Sequence, residues 1–126
     1  MAIKMVIFDT NILIELYRGN LVVKEEVQGI KSDVFYISSI TVAEFMIGAK
    51  NKDDLKRIEI DLSKYVHISI NTEITDIFID LFRKFTLSHR PDIPDTLIAA
   101  TALYYHLPLY TLNKKHFQFI PGIDLI

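Results

Sequence analysis

Short runs of β-branched and aromatic residues recur along this chain, each followed by a stretch whose apolar positions fall at helical spacing. Residues 3–8, 34–37, 66–70 and 109–111 have the strand character, and residues 11–17, 21–30, 40–50, 51–62, 72–87 and 95–105 the helical one. Strands separated by helices cannot pair as tight hairpins, so they align in parallel and need helices over both faces of the sheet. The chain is therefore expected to fold as an α/β domain with ligands bound beyond the carboxyl ends of its strands.

Local signals support this division. Asp9-Thr10 can cap the first helix, which stops near Gly19, and Ser38-Ser39 can cap the helix that follows the second strand. Residues 51–62 are charged apart from an apolar face that includes Leu55, Ile58 and Leu62, as in a solvated amphipathic helix. Asn71 or Thr72 caps a long helix with an apolar face of Ile74, Ile77, Phe78, Leu81 and Phe85. Residues 88–93 (SHRPDI) are the clearest loop, and residues 122–126 read as a last strand or tail. With no repeat or linker, residues 1–126 read as one domain, long enough to bury a core.

Composition removes several function classes. The absence of cysteine excludes disulfides, thiolate metal sites and cysteine nucleophiles. A net charge of −2 offers nucleic acid no overall attraction, so any contact of that kind must be a local basic patch. The apolar residues 97–112 fall short of the ~18–20 needed to span a bilayer, and the amino terminus lacks a basic leader with a cleavage site. A soluble cytoplasmic protein without membrane contact is the expectation.

Three of the most apolar stretches each carry one carboxylate and no other formal charge: Asp9 in MVIFDTNILI, Glu44 in SSITVAEFMIGA and Asp95 in IPDTLIAATALYYHLPLYTL. A carboxylate among buried groups is costly unless compensated. No cation in these segments can do that, whereas a hard divalent metal shared by all three could. Each acid also has a structural reading. Asp9 and Asp95 could cap helices, and Glu44, one turn from Ile40, Thr41, Ile47 and Gly48, could pair with a distant Lys or Arg. Gly48 would cost a helix about 1 kcal/mol, which the close approach of another group to that face would explain. Haloacid-dehalogenase-type phosphatases need a second Asp two residues after the first, where Asn11 stands. Receiver domains need an acidic pair after the first strand and a lone Asp after the third, and neither pattern is present.

The order FDTN, AEFMIGA, PDTLIAATAL and LYTLNKKHFQFIPGI, spanning nearly the whole chain, resembles PIN-domain ribonucleases and most of all the VapC toxins of toxin–antitoxin pairs. The resemblance implies a PIN-like three-layer α/β/α domain with a central, mostly parallel sheet. It implies a Mg2+ cofactor, replaceable by Mn2+, and endonucleolytic hydrolysis of single-stranded regions of RNA. Carried over residue by residue, it makes Asp9, Glu44 and Asp95 the metal-binding catalytic acids, with Thr10 and Asn11 as the polar pair supporting the first. It also implies a homodimer and a small VapB-like antitoxin that inserts a segment across the active site. A housekeeping PIN nuclease of RNA maturation and a catalytically inactive RNA-binding scaffold are the alternatives.

One departure matters. Many relatives have a fourth acid near the final strand, where this chain has Asn113, an auxiliary oxygen ligand that brings no charge. Asp92 could substitute, although a solvated loop residue is the simpler reading, and Asp124 is too close to the end of the sequence to assign. The cations nearest the motifs, and so the expected RNA contacts, are Lys114, Lys115 and His116, then His89 and Arg90, then Lys50 and Lys52. Leu13, Leu16, Tyr17, Phe45 and Met46 could offer apolar surface to a partner, with core packing the simpler role.

Overall fold

The computed structural model describes residues 5–32 and 34–126, so Ile3 and Lys4 of the expected first strand lie outside the described residues. Among the described residues, β1 (Met5–Phe8), β2 (Val34–Ser38), β3 (Val66–Ile68) and β4 (Leu109–Tyr110) form one parallel sheet in the order β3-β2-β1-β4. β1 is central, with Ile7 opposite Tyr36 on one side and Leu109 on the other. Its Val6, Ile7 and Phe8 are each 0% exposed, which explains why the run is continuously apolar rather than alternating.

The sheet separates two cores. Ile7 joins Ile74, Leu81, Ile98 and Phe117 under α5 (Thr72–His89) and α6 (Ile93–Tyr105). Val6 and Phe8 point the other way, into Ile12, Leu13, Phe45 and Ile58. That second core is covered by α1 (Thr10–Tyr17), α2 (Leu21–Gly29), α3 (Ser39–Ile47) and α4 (Lys52–Leu62). The result is the expected α/β/α layering, and truncating Phe8 to Ala would cost about 3–5 kcal/mol. Leu13, Leu16, Phe45 and Met46 serve this core, with Leu13 and Phe45 buried, while Tyr17 is exposed and packs at a steep angle on Phe45. The Tyr17 hydroxyl also donates to Asp54 Oδ1 at 2.5 Å, tying α1 to α4.

Helix ends follow their caps. Asn20, Ser38, Asn51 and Asn71 each accept from a backbone N–H in the following turn. Gly48 lies just past α3 rather than inside it, and a Cβ there would meet nothing closer than 3.5 Å. Among the described residues no group makes the expected close approach to that face, and the helix-interior penalty does not apply. α5 runs on through His89, so the SHRPDI loop shrinks to residues 90–92. Arg90 ends α5 in the left-handed region, φ 44°, a conformation cheap for glycine and costly for other residues.

β4 is short because Pro108 precedes it and because it lies at the sheet edge. The chain end partly closes that edge: Leu109 N–H donates to Asp124 O at 2.8 Å, and Ile126 N–H to Leu109 O at 3.0 Å. Residues 122–126 thus supply a single parallel bridge, Leu109 with Leu125. The carboxyl ends of β1 and β4 remain side by side, and the candidate site is built there.

Candidate active site

Asp9 directly follows β1. Its backbone N–H donates to Tyr110 O at 2.9 Å, extending the ladder to β4, and its side chain is withdrawn from solvent. Oδ1 accepts from Thr10 N–H at 2.8 Å, and Oδ2 from the Thr111 hydroxyl at 2.7 Å. Thr111 Oγ1 in turn accepts from Asn113 N–H at 3.0 Å. Both donors to Asp9 are neutral. Burial pushes its carboxyl above the usual carboxylate range, and these two hydrogen bonds offset only part of that. The capping reading of Asp9 holds in one respect, since it is the N-cap of α1.

Asp95 sits in the first turn of α6, and its own N–H is capped by Asp92 Oδ1 at 3.0 Å. The capping role foreseen for Asp95 thus falls to Asp92, which is exposed in the 90–92 loop as the solvated-loop reading expected. Asp92 caps, which frees the Asp95 side chain to face the site. Burial first, then the negative charges of Asp9 and Asp92, push the Asp95 carboxyl up to about 6. His116 Nδ1, 3.1 Å from Asp95 Oδ2, works in the opposite direction.

Glu44 reaches the same corner from α3. Its Oε1 accepts from the Thr10 hydroxyl at 2.7 Å, while Thr10 Oγ1 lies 3.0 Å from Thr41 Oγ1. A hydroxyl has one proton, so Thr10 donates to Glu44 and Thr41 donates to Thr10. Among the described residues no cation pairs with Glu44, so the salt-bridge reading is not realised. Thr10 therefore joins Asp9, through its amide, to Glu44, through its hydroxyl. Asn11 makes no comparable contact: it is half-buried in α1, with no described hydrogen bond to Asp9.

The sequence matches the PIN domain family over residues 6–120. The chain belongs to that family. It is 31% identical over 132 residues to the ribonuclease VapC of Rickettsia bellii, covering 95% of this chain and 93% of that one. A toxin–antitoxin complex from Klebsiella pneumoniae contains a chain 34% identical with a TM-score of 0.81, covering 96% of this chain and 95% of the other. The VapBC-1 structure from nontypeable Haemophilus influenzae aligns with a TM-score of 0.82 at 25% identity, covering 97% and 96%.

In this PIN domain the acids present only hard oxygen donors, and the charge of Asp9 adds to the burial that raises Asp95. A hard divalent ion suits such a set. Among the described residues, however, no three acidic or histidine side chains close on one point at ligand distance. A cleft of about 740 Å3, reached from the acids through Thr111 and His116, has a wall that includes Glu26, Tyr110, Asn113, Lys114 and Lys115. The auxiliary Asn113 and three of the expected RNA contacts thus share one wall. Lys50 lies apart, on a smaller cavity of about 240 Å3 with Tyr17, Arg18 and Glu44.

Thr111 and Thr41 are the site residues that sequence reasoning missed. Thr111 becomes predictable only once β4 is known to neighbour β1, because the residues after those two strands then face each other.

Proposed function

We propose that this PIN domain is a VapC-type endoribonuclease, the toxin of a toxin–antitoxin pair, working as one domain over residues 1–126. Asp9, Glu44 and Asp95 would hold Mg2+, or Mn2+ in its place. The observation that carries this reading is Asp9, a buried carboxylate met by two neutral donors, whose charge also raises the carboxyl of the half-buried Asp95. The chemistry such an ion supplies is polarisation of water and relief of negative charge on the phosphate.

The chain's own residues do the rest. Thr111 and the Thr10 amide orient Asp9, Thr10 and Thr41 orient Glu44, and Asp92 sets the helix turn that presents Asp95. His116 Nδ1, 3.1 Å from Asp95 Oδ2, would steady the Asp95 carboxylate as a ligand. Lys114 and Lys115 on the cleft wall, with His116 beside them, would contact RNA phosphates, and Asn113 would add a neutral oxygen.

The partner assignment, a small VapB-like antitoxin and a second copy of this chain, rests on family membership and on similarity to toxins solved as toxin–antitoxin complexes. Among the described residues no helix is long and apolar enough to cross a membrane, and the cytoplasm is the proposed compartment.

Incubation of the purified protein with total RNA and Mg2+ or Mn2+, beside Asp95→Asn and with fragment ends mapped, tests the enzyme. Discrete fragments from the wild type and none from the variant are expected. RNA left intact with both ions would leave only the scaffold reading. Growth arrest on expression, relieved by a small DNA-binding protein encoded next to this gene, separates a toxin from a maturation nuclease.

A further inference from the structure

One aromatic contact joins the end of α5 to the segment that carries Lys114, Lys115 and His116. Phe119 lies flat on His89, with ring centroids 4.5 Å apart and planes 15° apart. Phe85, one turn earlier on α5, packs at a steep angle against both rings, at 5.7 and 5.1 Å. Phe85 and Phe119 are anchored to the core beneath α5 and α6, so the stack stands on a firm base. Ser88 restrains the imidazole as well, its hydroxyl lying 2.7 Å from His89 Nδ1. Even so, His89 is exposed. With Phe119 on one face and Phe85 at the side, no described ring packs on the opposite face.

A flat ring supported from behind, restrained at its edge and open in front contributes little to a core and can receive another flat ring. Its surroundings are cationic. Arg90 follows His89 directly, and Lys115 and His116 lie just ahead of Phe119. His116 touches Asp95 at 3.1 Å, so the stack is one short segment away from the acids. Cations along the backbone and aromatic faces beneath the bases are how unpaired nucleic acid is held.

Building on the ribonuclease reading above, we propose that the open face of His89 is a stacking subsite for one unpaired base of the RNA substrate.

The test is binding to the full chain without divalent ions, read by fluorescence anisotropy. One probe is a labelled unpaired hexaribonucleotide, and the other is the same hexamer with an abasic ribose at every position. His89→Ala should weaken the base-bearing probe by roughly 5- to 100-fold, as expected for one lost stacking partner, and leave the abasic probe unchanged. His89→Phe, which keeps a ring, should restore most of the affinity. Lys114→Ala combined with Lys115→Ala should weaken both probes alike. Equal loss on both probes after His89→Ala, or loss on neither, overturns the proposal. Failure of the ribonuclease reading is seen separately, as a wild type that binds bases through His89 yet cuts nothing with Mg2+ or Mn2+.

Discussion

The Thr111 hydroxyl donates to Asp9 Oδ2 at 2.7 Å across a separation of 102 residues. The parallel pairing of β1 with β4 brings the two together, because each residue directly follows its strand. The same hydroxyl accepts from Asn113 N–H, so one oxygen fixes both the first acid and the start of the turn after β4.

Thr111→Val keeps the shape and removes both hydrogen bonds. Thr111 is 2% exposed, so water cannot readily replace the hydroxyl. Urea denaturation should show a loss of about 1–3 kcal/mol, the penalty for leaving buried polar groups unpaired. Cleavage, read as kcat/KM, should fall by roughly 10- to 100-fold, as when a residue orienting a metal ligand is removed. Thr111→Ser should recover most of both. A valine variant with wild-type kcat/KM would make the contact structural only.

Asp95 predicts a pH dependence with a definite sign. Its carboxyl titrates at about 6 in the fold against an ordinary 3.8, so the folded chain holds this proton more tightly than the unfolded one. In metal-free protein that contribution is complete below the unfolded pKa and is lost as pH rises through about 6. Asp95→Asn mimics the protonated form and escapes the loss. In EDTA the variant should therefore gain on the wild type between about pH 4 and pH 7, measured as the difference in urea midpoints. Mn2+ should close the gap by stabilising the wild type alone. A pH-independent difference would remove the proposed repulsion.

The acids are legible from the sequence because a lone charge inside an apolar run needs no tertiary information. Asp9, Glu44 and Asp95 fall out of that rule, and the alternation of strand and helix yields the parallel sheet. The threonines do not follow, because Thr41 and Thr111 acquire their roles only from the packing of α3 on α1 and the order β3-β2-β1-β4. The end of α5 was hidden for another reason. Arg90 takes a left-handed conformation without the glycine that usually announces it, and the neighbouring prolines suggested an earlier stop. Asp92, three residues ahead of Asp95, had the spacing of a cap but was masked by Pro91 and Pro94.

Arg90 also sets up a trade between stability and binding. Its φ of 44° is unfavourable for any side chain with a Cβ, and it directly follows His89 of the aromatic stack. Arg90→Gly should raise stability by about 0.5–1 kcal/mol in urea titrations. The same change should weaken RNA binding and reduce the slope of affinity against salt by roughly one counterion. Stronger or unchanged RNA binding would place Arg90 outside the RNA path.

Asn113 decides how much charge this site carries. Its backbone is pinned to Thr111 and its residue lines the cleft, so the side chain belongs to the wall beside Asp9. An amide there can offer an oxygen but no charge, while Asp9 and Asp95 already oppose each other. Asn113→Asp adds a further negative charge to the pair. Without metal it should push Asp95 further up and lower stability at neutral pH, relative to the wild type in EDTA. With metal the balance reverses, because each added carboxylate favours a hard cation, and Mn2+ should bind on the order of tenfold more tightly. Calorimetry tests that expectation and has two informative outcomes. If the wild type takes up one Mn2+ and the variant two, the missing charge limits the site to a single ion. If the wild type already takes up two and Asn113→Asp changes neither number nor affinity, the amide oxygen serves as a full ligand and the fourth charge is dispensable.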